Sequence, residues 1–253
     1  MHEIAKRTAV GALLLLIMPM MLWVSGWHWC PGSNEMLLKG LYWVTATVTS
    51  PWGSLTSILL SAWFLWCLRL CPKAAIGLVM LLSAAMLIGQ GIKSMIKDRV
   101  QEPRPFVVWL EQNHGVDEKY FYSLHSKQRS ALVAELSQGQ NLVPIWLSKH
   151  WQFETGFAFP SGHTLFAATW ALLGVGLLWP RRHYKTVVLL MLWAAGVMGS
   201  RLMLGMHWSR DLVMATLISW LLVTLTCWLA QRWYGLLMPP QGQQGLTVGK
   251  SQK

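Results

Sequence analysis

The chain has 253 residues, of which 54% are hydrophobic and 12% charged, with seventeen Trp and a net charge of +11. A soluble domain carries about twice that charged fraction, so most of this chain faces something other than water. The cations stand in short clusters beside apolar runs, as topology signals do, and form no stripe on a polar helix; nucleic acid is not an expected partner.

A membrane-crossing helix needs about 20 mostly apolar residues. The first run, Ala9–Trp27, follows the basic Lys6-Arg7 and lacks a small-x-small cleavage site. It reads as a retained span and not a signal peptide, with a kink expected at Pro19. Met36–Val48 places Leu37, Leu38, Leu41 and Val44 on one helical face and suits an interfacial helix. Spans are then expected over Ser54–Leu70 and Ala74–Lys93, with Lys93 snorkelling toward the interface. A polar stretch from Ser94 to Pro160 follows. Within it, Ser130–Leu136 and Val143–Phe153 have helical spacing, separated by Gly139 and Asn141, and read as a small cap. The last three spans are expected over Thr164–Trp179, Val187–Ser200 and Leu212–Ala230. The Gln/Gly-rich tail over 240–253 reads as disordered and cytoplasmic.

The expected architecture is all-α: one polytopic membrane-embedded domain over 1–253, with six transmembrane helices. The helical extra-cytoplasmic loop 94–160 is inserted between spans 3 and 4. With the N-terminus in the cytoplasm, the cytoplasmic loops hold ten cations against the single acid Glu3, and the opposite side eleven cations and nine acids. The positive-inside rule favours that orientation and a multi-pass place in the cytoplasmic (inner) membrane. Cys30, Cys67, Cys71 and Cys227 are scattered, with neither metal-ligand spacing nor a disulfide framework.

Three polar clusters fall at span ends on the extra-cytoplasmic side: Lys97 with Arg104-Pro105, Pro160-Ser161-Gly162-His163, and Ser200-Arg201 with His207 and Asp211. Taken singly, each has a bland reading. Lys97 and Arg104 could anchor headgroups, Ser161 could be a helix N-cap, and His207 with Asp211 could be a structural pair. Glu154, just before the second cluster, could contact a headgroup but reads more readily as a loop cap, and His114, His125 and His150 read as solvated side chains. Together the clusters suit a phosphoryl group. Lys97, Arg104 and Arg201 can surround a dianion, and Ser161-Gly162 would open a helix whose N–H groups attract it. Asp211, at i,i+4 to His207, can hold one imidazole nitrogen and leave the other to attack phosphorus. His163 would serve as general acid.

The pattern Lys97-x6-Arg104-Pro105, Pro160-Ser161-Gly162-His163, Ser200-Arg201-x5-His207-x3-Asp211 resembles the three-part signature of the type 2 phosphatidic acid phosphatase superfamily, with all eleven specified residues in order. The likeness is to its bacterial phosphatidylglycerophosphate-hydrolysing branch, whose relatives also act on undecaprenyl pyrophosphate. It implies His207 as nucleophile forming a phosphohistidine, Asp211 as its orienting partner and His163 as leaving-group acid. It implies Lys97, Arg104, Ser161, Gly162 and Arg201 as the phosphate-binding set. It also implies no cofactor and no metal, with lipid phosphates or pyrophosphates as partners, phosphatidic acid and diacylglycerol pyrophosphate included. The same residues would serve a lipid phosphotransferase. A non-catalytic lipid-binding or transport protein would not need a nucleophile and an acid.

Overall fold

The structure, a computed structural model, describes residues 1–32, 34–137 and 142–235. The tail over 240–253 lies outside the described residues, as do Gly139 and Asn141. Eleven α-helices run in order among the described residues. They are α1 His2–Val24, α2 Glu35–Ala46, α3 Trp52–Leu68, α4 Pro72–Val100, α5 Pro105–His114, α6 Glu118–Ser123, α7 Ser126–Leu136, α8 Ile145–Phe153, α9 Gly162–Leu173, α10 Tyr184–Met203 and α11 Ser209–Tyr234. A π-turn over Gly174–Leu178 and a 3₁₀ turn over Trp179–Arg181 extend α9.

The protein is all-α and polytopic, with a helical cap. Five of the helices are long and apolar enough to cross a membrane: α1, α4, extended α9, α10 and α11. The sixth expected span is the apolar α3, only 17 residues long, or roughly 26 Å at the α-helical rise. Two spans differ from expectation in their extent, and the second difference bears on the site. The α1 helix starts at His2 and takes in Lys6 and Arg7, running unbroken through Pro19. The α4 helix continues past Lys93 to Val100, which puts Lys97 in its last turn.

The bundle is built around α9. Leu165, Ala167, Ala168, Trp170, Leu172 and Leu173 are all buried, enclosed by α1, α4, α10 and α11. By contrast, Leu13, Leu14 and Ile17 on α1 and Ile58, Leu59 and Trp66 on α3 are exposed, as expected of faces turned to lipid. Small polar pairs tie the spans together, as hydroxyls do where no water competes. Thr8 and Thr224 hydroxyls lie 2.8 Å apart, and Thr169 Oγ1 donates to Ser219 Oγ at 3.1 Å.

The cap comprises α5 to α8, two helices more than the sequence pattern suggests. Its core holds Phe106, Val107, Leu110, Phe121, Val133, Leu147 and Trp151, with Trp29, Leu204 and Met206 from the bundle. Trp151 stacks on Phe106 (4.9 Å between centroids, 9° between planes) and donates from Nε1 to Leu204 O at 2.9 Å. Trp29 Nε1 likewise donates to Met203 O at 2.9 Å. The cap is therefore fastened to the α10–α11 connection. The α2 helix packs along α10, with Leu38 buried and Leu37 exposed.

Candidate active site

Each site residue is placed by a helix end. The Lys97 side chain turns off the last turn of α4 and donates from Nζ to Phe157 O at 2.5 Å. Gln101 then adopts the left-handed conformation that stops the helix. Arg104 becomes the N-cap residue of α5, with Pro105 at the first helical position, where the missing N–H costs nothing. Ser161 caps α9, its Oγ accepting from Thr164 N at 3.3 Å. Behind it, Ser161 N donates to Asp211 O at 3.3 Å, which joins the second and third clusters. A Cβ at Gly162 would meet Lys93 Cδ at 2.9 Å, so glycine is what lets the α4 side chain lie across the start of α9. Lys93 accordingly does not snorkel away: it bonds Gln90 Oε1 at 2.7 Å and lines the site cavity.

The connection from α10 to α11 carries the third cluster. Gly205 takes φ +69°, and a Cβ there would sit 2.7 Å from Trp29 Cε2. The resulting turn brings Met206 N and His207 N back to Arg201 O, at 3.0 and 3.1 Å. His207 and Asp211 are buried, with Nδ1 to Oδ2 at 3.0 Å. The same Oδ2 accepts from Trp208 N at 2.9 Å, so the carboxylate is fixed before it meets the imidazole. With Nδ1 engaged, Nε2 is the free nitrogen of His207. Burial, and after it the nearby Arg104, Arg201 and Lys97, push this imidazole well below its ordinary pKa. It stands neutral at physiological pH, the form in which a ring nitrogen has a lone pair to give.

The two arginines converge on a residue the sequence pattern assigns to loop capping. Glu154 ends α8, and its Oε2 lies 2.6 Å from Arg201 Nη2 and 3.3 Å from Arg104 Nη1. Its Oε1 is 3.5 Å from His163 Nε2 and 3.9 Å from His150 Nε2. Burial alone would raise this carboxyl, but Arg201, His163, Arg104 and His150 hold it well below the usual carboxylate range. His150 is not a solvated loop residue either. It is buried, with Nε2 3.2 Å from Arg201 Nη1, and burial, then Arg201, push it down to about 4. His114 and His125 stay in the cap, His114 packing its ring edge-on to Trp109 and His125 exposed beside α7.

Both Arg side chains are buried and mostly satisfied. Arg104 Nε donates to Gly156 O at 2.6 Å and Nη1 approaches Met206 O at 3.4 Å. Arg201 Nη1 donates to Thr45 Oγ1 at 3.2 Å, while its Nε has no hydrogen-bond partner. His163 Nε2 lies 3.0 Å from Thr49 Oγ1. Neither threonine stands out in sequence, and nothing in the local pattern points to them. A cavity of about 550 Å³ opens beside this cluster. It is lined by polar side chains, among them Lys93, Glu154 and His163, and by apolar ones, among them Met86, Leu87 and Phe166. Among the described residues, no three His, Cys, Asp or Glu side chains are grouped so as to hold a metal ion.

Residues 78–234 match the family model of the PAP2 superfamily. The chain is 60% identical over 240 residues to phosphatidylglycerophosphatase B of Escherichia coli (strain K12), covering 95% of this chain and 94% of that protein. The same figures hold for phosphatidylglycerophosphatase B of Shigella flexneri. A third relative of that name, from Haemophilus influenzae, is 34% identical over 226 residues, covering 86% of this chain and 92% of the relative.

Proposed function

The chain belongs to the PAP2 superfamily and is a multi-pass inner-membrane lipid phosphatase, and on that premise we propose that it hydrolyses phosphatidylglycerophosphate, undecaprenyl pyrophosphate or both through a phosphohistidine on His207. One observation carries the reading. A buried histidine, His207, with one nitrogen committed to Asp211, stands near Lys97, Arg104 and Arg201 at span ends. Phosphatidic acid and diacylglycerol pyrophosphate present the same phosphoryl group and belong to the same substrate class.

In this mechanism Lys97, Arg104 and Arg201 hold the phosphoryl oxygens, supplying the positive charge that a metal supplies elsewhere. The unsatisfied Nε of Arg201 is one donor for them, and the N-terminal N–H groups of α9, opened by Ser161 and Gly162, are others. His207 Nε2 attacks phosphorus, forming a P–N bond as the bond to the lipid oxygen breaks. That oxygen leaves with the proton of His163. Asp211 keeps Nδ1 protonated and stabilises the cation that develops on the ring. Water then attacks the phosphohistidine, returns a proton to His163 and releases inorganic phosphate.

The cavity supports a lipid in this role, since its lining joins His163 to apolar side chains of α4 and α9, Met86, Leu87 and Phe166. The charge distribution supports six crossings with both termini in the cytoplasm and the site on the extra-cytoplasmic side. On this reading α3 is the short sixth span, with Trp52 exposed at one end and Trp66 near the other as interfacial anchors.

Purified protein is tested on a panel of these lipids and on an aryl phosphate, with phosphoenzyme formation followed in a single turnover. His207→Ala is expected to lose every substrate. His163→Ala is expected to lose about 10²–10⁴-fold on the poor alkoxide leaving group and much less on nitrophenolate. Equal losses on both leaving groups would reassign the acid, and residual phosphoenzyme in His207→Ala would reassign the nucleophile.

A further inference from the structure

The last turn of α2 and the turn that follows it reach the site at two positions four residues apart. Thr45 Oγ1 accepts from Arg201 Nη1 at 3.2 Å, and Thr49 Oγ1 lies 3.0 Å from His163 Nε2. The backbone carrying them is pinned from two directions. Thr56 Oγ1, on α3, donates to Thr47 O at 2.7 Å, and Trp193 Nε1, on α10, donates to Thr47 Oγ1 at 3.0 Å. A side chain on such a segment has little freedom to follow a histidine that moves.

A hydroxyl has one proton to give. Thr49 Oγ1 donates it to Thr45 O at 3.1 Å, and a carbonyl oxygen only accepts. The hydrogen between Thr49 and His163 must then come from the imidazole, so Nε2 carries the N–H. A second, independent contact points the same way. Glu154 Oε1 is 3.5 Å from the same nitrogen, and an ionised carboxylate also only accepts. A bare lone pair at Nε2 would face two acceptors and no donor.

We propose that Thr49 is a positioning residue for the leaving-group proton: its hydroxyl, with its own hydrogen committed to Thr45 O, holds His163 in the Nε2–H form on the wall of the substrate cavity. Thr49 and His163 both line that cavity, which opens beside the Arg104–Glu154–Arg201 cluster, so the N–H stands on the wall past which a lipid phosphate would enter. The proposal rests on the assignment of His163 as general acid. In the transfer itself His163 acts as imidazolium, with Nδ1 protonated as well: the P–O bond to the lipid breaks, the departing oxygen takes the Nε2 proton, and the N–H electron pair stays on Nε2 of a neutral Nδ1–H ring, which a proton from the attacking water recharges. Thr49 forms and breaks no covalent bond. Its part, together with Glu154 Oε1, is to accept from Nε2–H and so keep it protonated and aimed until the oxygen arrives.

Thr49→Val keeps the branched shape and deletes the acceptor, whereas Thr49→Ser keeps the hydroxyl. Thr49→Val is expected to slow phosphoenzyme formation from a lipid alkyl phosphate by about 10–100-fold, and from nitrophenyl phosphate by less than about 3-fold, as a partial loss of general acid catalysis. Thr49→Ser is expected to restore both rates. In ¹⁵N-histidine-labelled protein, with the His163 signals identified by their loss in His163→Gln, Nε2 is expected to be the protonated nitrogen in the parent and Ser forms, and a mixed state to appear in Thr49→Val. Equal losses for the two leaving groups, a Ser variant as impaired as Val, or an Nδ1–H ring in the parent protein would overturn the proposal. The parent spectrum decides the matter even if Thr49→Val does not fold. Leaving-group dependence missing from His163→Ala itself sinks the acid assignment underneath; dependence present there but missing from Thr49→Val overturns the role of Thr49 alone.

Discussion

Glu154→Gln is the most informative single change, because the Glu154 carboxylate sits between the two guanidiniums that the mechanism needs for phosphate. Oε2 is 2.6 Å from Arg201 Nη2 and 3.3 Å from Arg104 Nη1, so an incoming phosphoryl oxygen competes with it for the same donors. Hydrogen bonds to a charged group contribute about 1.5–3 kcal/mol each net. Glutamine is isosteric but neutral, and one of its two terminal atoms donates instead of accepting. Two consequences follow with opposite sign. Without an anion, Arg104 and Arg201 lose a buried counter-charge, and breaking such a pair typically destabilises by about 3–5 kcal/mol. With an anion, part of that energy reappears as affinity: about 1.4–2.8 kcal/mol of it corresponds to vanadate or phosphate binding roughly 10–100-fold tighter. The expected pattern is a lower melting temperature for anion-free Glu154→Gln in detergent, a larger rise on adding vanadate, and a lower vanadate inhibition constant. Slower release of product phosphate should also lower kcat and KM together. Vanadate binding that is unchanged or weaker in the variant would refute the reasoning, and would mean that the carboxylate stays with the arginines and organises them for the anion.

Three further outcomes are expected. Activity should persist in excess EDTA and fall with vanadate, because in the proposed mechanism Lys97, Arg104 and Arg201 supply the charge at the phosphoryl group; complete loss in EDTA restored by Mg²⁺ would contradict this. A cysteine at the exposed Ser126 of α7, placed in a Cys30→Ser background, should react with an impermeant thiol reagent in intact spheroplasts; labelling only after the membrane is opened would invert the orientation. Stability should depend on His150 in acid. Its folded pKa of about 4 lies below the ordinary 6.5, so the unfolded chain takes up the proton first and stability falls as pH drops from about 6.5 toward 4. His150→Asn should flatten that part of the melting-temperature profile relative to the parent, and an unchanged slope would exclude His150 as a source.

Apolar run length and motif spacing are local properties, and they were legible without coordinates. They predict six spans, of which five are helices long and apolar enough to cross, a helical cap, and the gathering of Lys97, Arg104, Ser161, Gly162, His163, Arg201, His207 and Asp211, because all of these residues stand at or near span ends. Helix extent was less legible. Lys97 lies in the last turn of α4 and Arg104 caps α5, since a polar last turn carries no hydrophobic signal to mark it as helix. What lies outside any local pattern is what fills the site. Glu154 is an ordinary loop acid until Arg104 and Arg201, 50 and 47 residues away in the chain, close on it. His150 is buried only because Arg201 and the ring of Tyr42 pack against it. Thr45 and Thr49 reach the site only because α2 lies along α10. A charge or hydroxyl shows in sequence what it can donate or accept, but its partner is set by which helices pack together. That choice belongs to the summed burial of the bundle and cap cores, and so to the tertiary structure alone.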